Sequence, residues 1–209
     1  MASNSFGRYF SITTYGESHG AGMGVIVDGC PAGIPIDLAR IQQELDRRKP
    51  GQSKLTTQRK EHEDFTVESG LFEGRTLGGP MAIRIPNQDA RSRDYQRFEN
   101  RYRPSHADYT YDVKYGIRDH RGGGRSSARE TANWVAAGAV AVQLLEQLYP
   151  ELAIQAFVTQ IGEVELASAW GELDLAHSAD AYVRCPEPNT AQQMVTAIET
   201  ARKDKDSVG

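Results

Sequence analysis

The chain has 209 residues, 39% of them hydrophobic and 25% charged, enough patterned apolar sequence for a substantial core and too much for a disordered chain. It holds no run of about 18 apolar residues and no apolar signal core at its start, and Cys30 and Cys185 supply neither a disulfide framework nor metal-ligand spacing, so a reduced, cytoplasmic protein without membrane contact is expected. The formal net charge of −4 speaks against a long nucleic acid as partner, yet arginines cluster at 47–48, 91–103 and 118–129, which suits a compact anionic ligand.

In chain order, Arg8 to Thr14 and Gly24 to Asp28 are expected strands, the second with Val25 and Val27 on one face and Ile26 on the other. Between them Tyr15-Gly16-Glu17-Ser18-His19-Gly20 is too polar and glycine-rich for a strand interior, and Cys30 to Gly33 reads as a turn. Asp37 is the expected N-cap of a helix that buries Leu38, Ile41 and Leu45 and stops at Pro50-Gly51. Arg47, Arg48 and Lys49 close that helix. Cations complement the dipole there, and three in a row predict that an anion is met as well.

Residues 51–64 are polar and irregular, and Phe65 to Val67 and Met81 to Ile85 read as half-buried strands, the latter ended by Pro86. Residues 87–124 are rich in Arg, Asp and Tyr without periodicity and are expected to form an ordered, functional loop. The clearest helix spans Ser127 to Leu148, with Ser127 to Glu130 as a capping box and Val135, Ala139, Val142 and Leu145 as its apolar stripe. Gly138 costs about 1 kcal/mol relative to alanine inside a helix, which predicts a closely approaching neighbour. Ile154 to Val164 reads as one or two strands, Thr190 to Arg202 as an amphipathic helix through Met194, Val195 and Ile198, and Val208 as the start of a further strand.

Arg121-Gly122-Gly123-Gly124-Arg125-Ser126-Ser127 is the strongest chemical signal. Glycines let backbone N–H groups approach an anion, the helix that follows favours negative charge at its start, and Arg125, Ser126 and Ser127 add side-chain donors. The loop lacks the Gly-Lys-Ser/Thr ending of a Walker A sequence. Two histidines in loops, His19 and His106, are candidate proton donors near neutral pH, whereas His62, His120 and His177 read as structural. The Arg and Tyr residues of 91–118 leave an RNA-binding module as a competing reading.

Four segments, GESHGAGMGVIVDGCPAG (16–33), DRRKPGQSKLTTQRKE (46–61), RPSHADYTYDVKYG (103–116) and RGGGRSSARET (121–131), closely resemble the chorismate synthase family. The resemblance implies an α+β fold, a sandwich of antiparallel sheets enclosing helices, assembled as a homotetramer and binding reduced FMN, with NADPH as a candidate source of reductant. The implied reaction is 1,4-elimination of phosphate from 5-enolpyruvylshikimate-3-phosphate to give chorismate, a lyase step of aromatic amino acid biosynthesis. By the same resemblance His19 donates a proton to the departing phosphate and His106 protonates the reduced flavin. Arg125, Ser126 and Ser127 match the flavin-binding stretch, and Arg48 and Lys54 match substrate or nucleotide contacts. Lys54 is a point charge without the bidentate fork of arginine. Family chains continue beyond DSVG, so residues 1–209 read as one domain, incomplete at the C-terminus. On that reading the chain alone is expected to be inactive and to bind FMN poorly, and the alternative is a non-catalytic fragment that keeps the anion-binding loop.

Overall fold

The computed structural model describes residues 4–49, 63–87, 98–175 and 182–209. Lys54, His62, Arg91, Arg93, Arg97 and His177 lie outside the described residues. The fold is α+β with antiparallel sheets, and it divides into two compact units, one holding the described residues up to 151 and the other those from 152 onward.

The first unit is built on a five-stranded antiparallel sheet. Its strands are β1 (Ser5–Gly7), β2 (Ser11–Gly16), β3 (Gly22–Asp28), β7 (Met81–Pro86) and β4 (Thr66–Ser69), in the order β1-β2-β3-β7-β4. The strand expected over Arg8 to Thr14 begins only at Ser11, because residues 8–10 form a bend, and β1 precedes it unpredicted. A small hairpin, β5 (Leu71–Phe72) and β6 (Arg75–Thr76), has no counterpart in the sequence reading, because two-residue strands carry no alternation to detect. In β3 and β7 alternation sorts the faces as expected. Met23, Val25 and Val27 with Met81, Ile83 and Ile85 are buried, while Ile26 and Ala82 are half-buried and Arg84 is exposed. Each fully buried aliphatic side chain of this kind is worth about 1.5–3 kcal/mol over an exposed one.

Helices α1 (Leu38–Arg48) and α3 (Thr131–Leu148) share one core with that buried sheet face. Asp37 caps α1 as expected, its carboxylate accepting from Ala39 N–H at 2.8 Å. Ile41 and Leu45 are fully buried, whereas Leu38 is largely exposed. In α3 the buried face is Ala132, Ala136, Ala137, Ala139, Val140 and Leu144, and the predicted Val135, Val142 and Leu145 are only half-buried. A helix apolar on nearly every side gives periodicity no face to select, so the small residues that admit the closest approach win. Gly138 also departs from expectation: a Cβ there would meet nothing within 4 Å.

Two polar ties fix α1 against α3. Gln143 accepts from Asp37 N–H at 2.7 Å, and Arg40 pairs with Glu146 through two bonds of 2.6 and 2.7 Å.

The second unit joins the hairpin β8 (Gln160–Ile161) and β9 (Val164–Glu165) to α4 (Pro188–Lys203) over a core of Val183, Cys185, Ala191 and Met194. Helix α4 buries Met194 and half-buries Val195 and Ile198, the face read from the sequence. At the α4 start the Glu187 carboxylate accepts from Ser168 and Ala167 N–H and from the Thr190 hydroxyl, which holds it near pKa 2. Val208 opens no strand; Gly209 instead accepts from Gly162 N–H at 3.0 Å.

Within the sheet, Gly24 sits opposite Tyr15 on one side and Arg84 on the other. A Cβ at Gly24 would enter the Tyr15 ring and stand 2.5 Å from the Ile83 carbonyl oxygen. Gly24→Ala should therefore cost roughly 1–3 kcal/mol in denaturant unfolding. Adding Tyr15→Ala should recover only part of it, because the Ile83 clash is with backbone.

Candidate anion-binding site

Two loops meet beside the sheet. The first, Glu17 to Gly20, follows β2; the second, Gly122 to Ser126, leads through two short 3-10 turns (Gly124–Ser126 and Ala128–Glu130) into α3. Gly122 lies so close under His19 that a Cβ would fall within the imidazole ring. Ser18 N–H donates to Gly124 O at 3.5 Å, and Arg125 Nη1 donates to Gly16 O at 2.9 Å. His19 Nδ1 lies 3.0 Å from Ser18 Oγ, a contact that helps orient the ring. Sequence reasoning picked both loops without any signal that one packs on the other.

The arginines there are held by carboxylates. Arg125 makes a bidentate pair with Glu130 at 2.7 and 2.6 Å and reaches Thr14 Oγ1 at 2.6 Å and Asn4 Oδ1 at 3.2 Å. The expected free cation is a clasp between the start of α3 and β2, and removing it would strand a buried carboxylate. The capping box is corrected for the same reason. Ser127 Oγ does accept from Arg129 N–H at 3.3 Å, but Glu130 faces Arg125 and Asn133 instead of reaching back to Ser127.

The triplet ending α1 is likewise paired, Arg47 with Glu44, Lys49 with Asp46 and Arg48 with Glu63. Glu63 is fully buried and also receives Arg129 Nη1 at 3.1 Å. The cations that end α1 thus meet carboxylates of the chain itself.

Residues 98–124 are more regular than expected. They carry α2 (Asp108–Tyr115), unseen in the sequence because its Tyr, Thr, Asp and Val residues are poor helix formers without a clear stripe. Gly116 in left-handed conformation ends it, the one signal that could have revealed it. Arg103 pairs with Asp108 at the α2 start and donates to Gly122 O at 3.3 Å, which ties this segment to the glycine loop. His106 is exposed on the same turn. Its Nδ1 lies 2.8 Å from Pro104 O; since a carbonyl only accepts, Nδ1 carries the proton and Nε2 points elsewhere.

Together α2, residues 117–121, Glu17 and the glycine loop line a cleft of about 550 Å³. Ser126, Arg121 and His120 stand on its walls with Tyr111, whose hydroxyl pKa is raised by burial. Among the described residues Gly123 and Gly124 N–H donate to no protein acceptor. His120, read as structural, lines the cleft, and Ser127 sits behind Ser126 at the turn.

A seam of two loops held by arginine–carboxylate pairs, with a histidine pressed against glycine and backbone donors beside a polar cleft, makes a candidate anion site in an α+β fold. The profile of the family described as chorismate synthase matches residues 10–209, and the chain belongs to that family. It is 50% identical over its whole length to the chorismate synthase of Christiangramia forsetii and 52% identical to that of Halobacterium salinarum, covering 58% and 53% of those proteins. A solved structure titled "Crystal Structure of Chorismate Synthase" superposes with a TM-score of 0.74 at 31% identity, over 97% of this chain and 55% of that one. The chain thus spans little more than half the length of the relatives it matches. No helix among the described residues is long and apolar enough to cross a membrane.

The Arg103 bonds hold the Asp108 carboxyl near pKa 2, against an ordinary 3.8. A depressed carboxyl stabilises the fold fully above about pH 4 and loses that contribution as pH falls toward 2. Side-chain NMR titration should place the Asp108 midpoint near 2 in the wild type and close to 4 in Arg103→Gln. An unchanged midpoint in the variant would remove Arg103 as the cause.

Proposed function

We propose that this chain carries the anion-binding and proton-donating part of a lyase that eliminates phosphate from 5-enolpyruvylshikimate-3-phosphate with reduced FMN. The observation that carries it is the seating of His19 on Gly122, which joins a proton donor to the loop best suited to phosphate. The residues fit the flavin: Gly123 and Gly124 N–H suit its phosphate, Ser126, its hydroxyl donating to Gly123 O, holds that turn in shape, and the cleft has an aromatic wall at Tyr111. Reduced FMN supplies, when bound, an electron-rich ring that assists loss of phosphate without net redox change.

In the elimination the C–H proton passes to a base, the C–O bond to phosphate breaks with its electron pair leaving on the phosphate, and one C=C bond is gained, so the protein must also meet the charge of the departing phosphate. His19 donates a proton to it. His106, with its Nδ1 proton on Pro104 O, works through Nε2 as the acid that keeps the reduced flavin protonated. Arg48 and Lys54 contact substrate or nucleotide, and Arg125 acts by shaping the Ser126-Ser127 turn. A homotetramer in the cytoplasm, with NADPH as a source of reductant, completes this reading.

Phosphate release measured anaerobically with reduced FMN tests it. His19→Ala and His106→Ala should slow release by about 10²–10⁴-fold while leaving flavin binding within a few-fold. Release within a few-fold of wild type in either variant excludes that histidine. Flavin binding with no release from the wild type would instead identify an anion-binding chain without turnover.

A further inference from the structure

The His19 turn is fastened by a residue outside the motifs read from the sequence. Asn87, just after β7, donates from one side-chain nitrogen to two carbonyls of that turn, Glu17 O at 2.8 Å and Gly20 O at 3.0 Å. Its own N–H reaches Ala21 O at 3.3 Å. These bonds bracket His19 in sequence. Gly20 N–H closes the turn itself by donating to Glu17 O at 3.0 Å.

The other end of the same amide is oriented. Arg129 Nε donates to Asn87 Oδ1 at 2.8 Å, which leaves the amide nitrogen only one way to face. Arg129 is in turn held by the buried Glu63, which also binds Arg48. Carboxylate, guanidinium, amide and turn therefore follow one another with donors and acceptors matched at each step. A polar chain of this kind, anchored on the buried Glu63, fixes geometry because each member loses a partner if its neighbour rotates.

We propose that Asn87 is a positioning residue for His19, oriented by Arg129 on Glu63, so that the end of α1 and the proton-donor turn are held in one frame. The position of the turn stands on the bonds above; its consequence for turnover rests on the function proposed for His19.

Asn87→Asp is the discriminating variant. It keeps the size and the acceptor for Arg129 but sets an oxygen against the Glu17 and Gly20 carbonyls where a donor stood. In protein labelled with ¹⁵N-histidine, the His19 ring nitrogens, assigned by their loss in His19→Gln, should shift in Asn87→Asp. Exchange of the Ser18 and Gly20 amides should speed up about tenfold or more, while Val140 and Leu144 in α3 exchange as in the wild type. If Asn87→Asp does not fold, Asn87→Ala, which removes the donor without adding charge, is read the same way. Unchanged His19 resonances and turn exchange in a folded variant overturn the proposal.

In the phosphate-release assay kcat should fall by about 10–100-fold with KM little changed, the cost of a misplaced group. Shifted His19 resonances with unchanged kcat overturn the catalytic half. Absence of release from the wild type defeats the proposed function and leaves the spectroscopic result to decide the position of the turn.

Discussion

Burial of carboxylates against arginine is the interaction on which the site depends. Glu63, Glu130 and Asp108 are all buried, and each faces a guanidinium: Arg48 and Arg129, Arg125, and Arg103. A carboxylate out of water is tolerated only when paired and hydrogen-bonded, and losing one partner costs about 3–5 kcal/mol. The Glu63 pairs span distant sequence, and the two local pairs carry further bonds to other elements. Arg125 with Glu130 clasps the α3 entrance to β2, Glu63 joins the end of α1 to the turn before α3, and Arg103 with Asp108 binds α2 to the glycine loop.

This arrangement changes what the arginine clusters mean. Read as sequence, they promise a strongly positive site. Among the described residues most of those arginines face carboxylates, so the donors beside the cleft are chiefly the Gly123 and Gly124 N–H groups. Preorganised donors in a polar cleft stabilise a developing anion without the reorganisation that mobile cations would need. The arginines shape the site more than they charge it.

Much of this was legible in the sequence where one physical rule acts alone. Alternation located β3 and β7, Asp37 marked the α1 start, and period 3.6 gave the buried face of α4. The reading failed where rules compete. In α3, apolar on nearly every side, the stripe could not be chosen, and in α2 weak propensity was overridden by Arg103 and Arg118, which pair with Asp108 and Asp112. The loop motifs announced anion chemistry, but the pairing of Arg125 with Glu130 across five residues was masked by the more familiar capping pattern that begins at Ser127. Asn87 left no signal, since a single amide acquires its role only from the turn that folds onto it.

A double-mutant cycle between Arg125 and Glu130 tests most directly whether buried pairs lock the loops. Unfolding free energies of Arg125→Ala, Glu130→Ala and the double variant should show a coupling of about 2 kcal/mol or more, with the double variant little worse than either single one. Effects that add to within about 0.5 kcal/mol would mean that the two side chains act independently and that something else holds the glycine loop against His19.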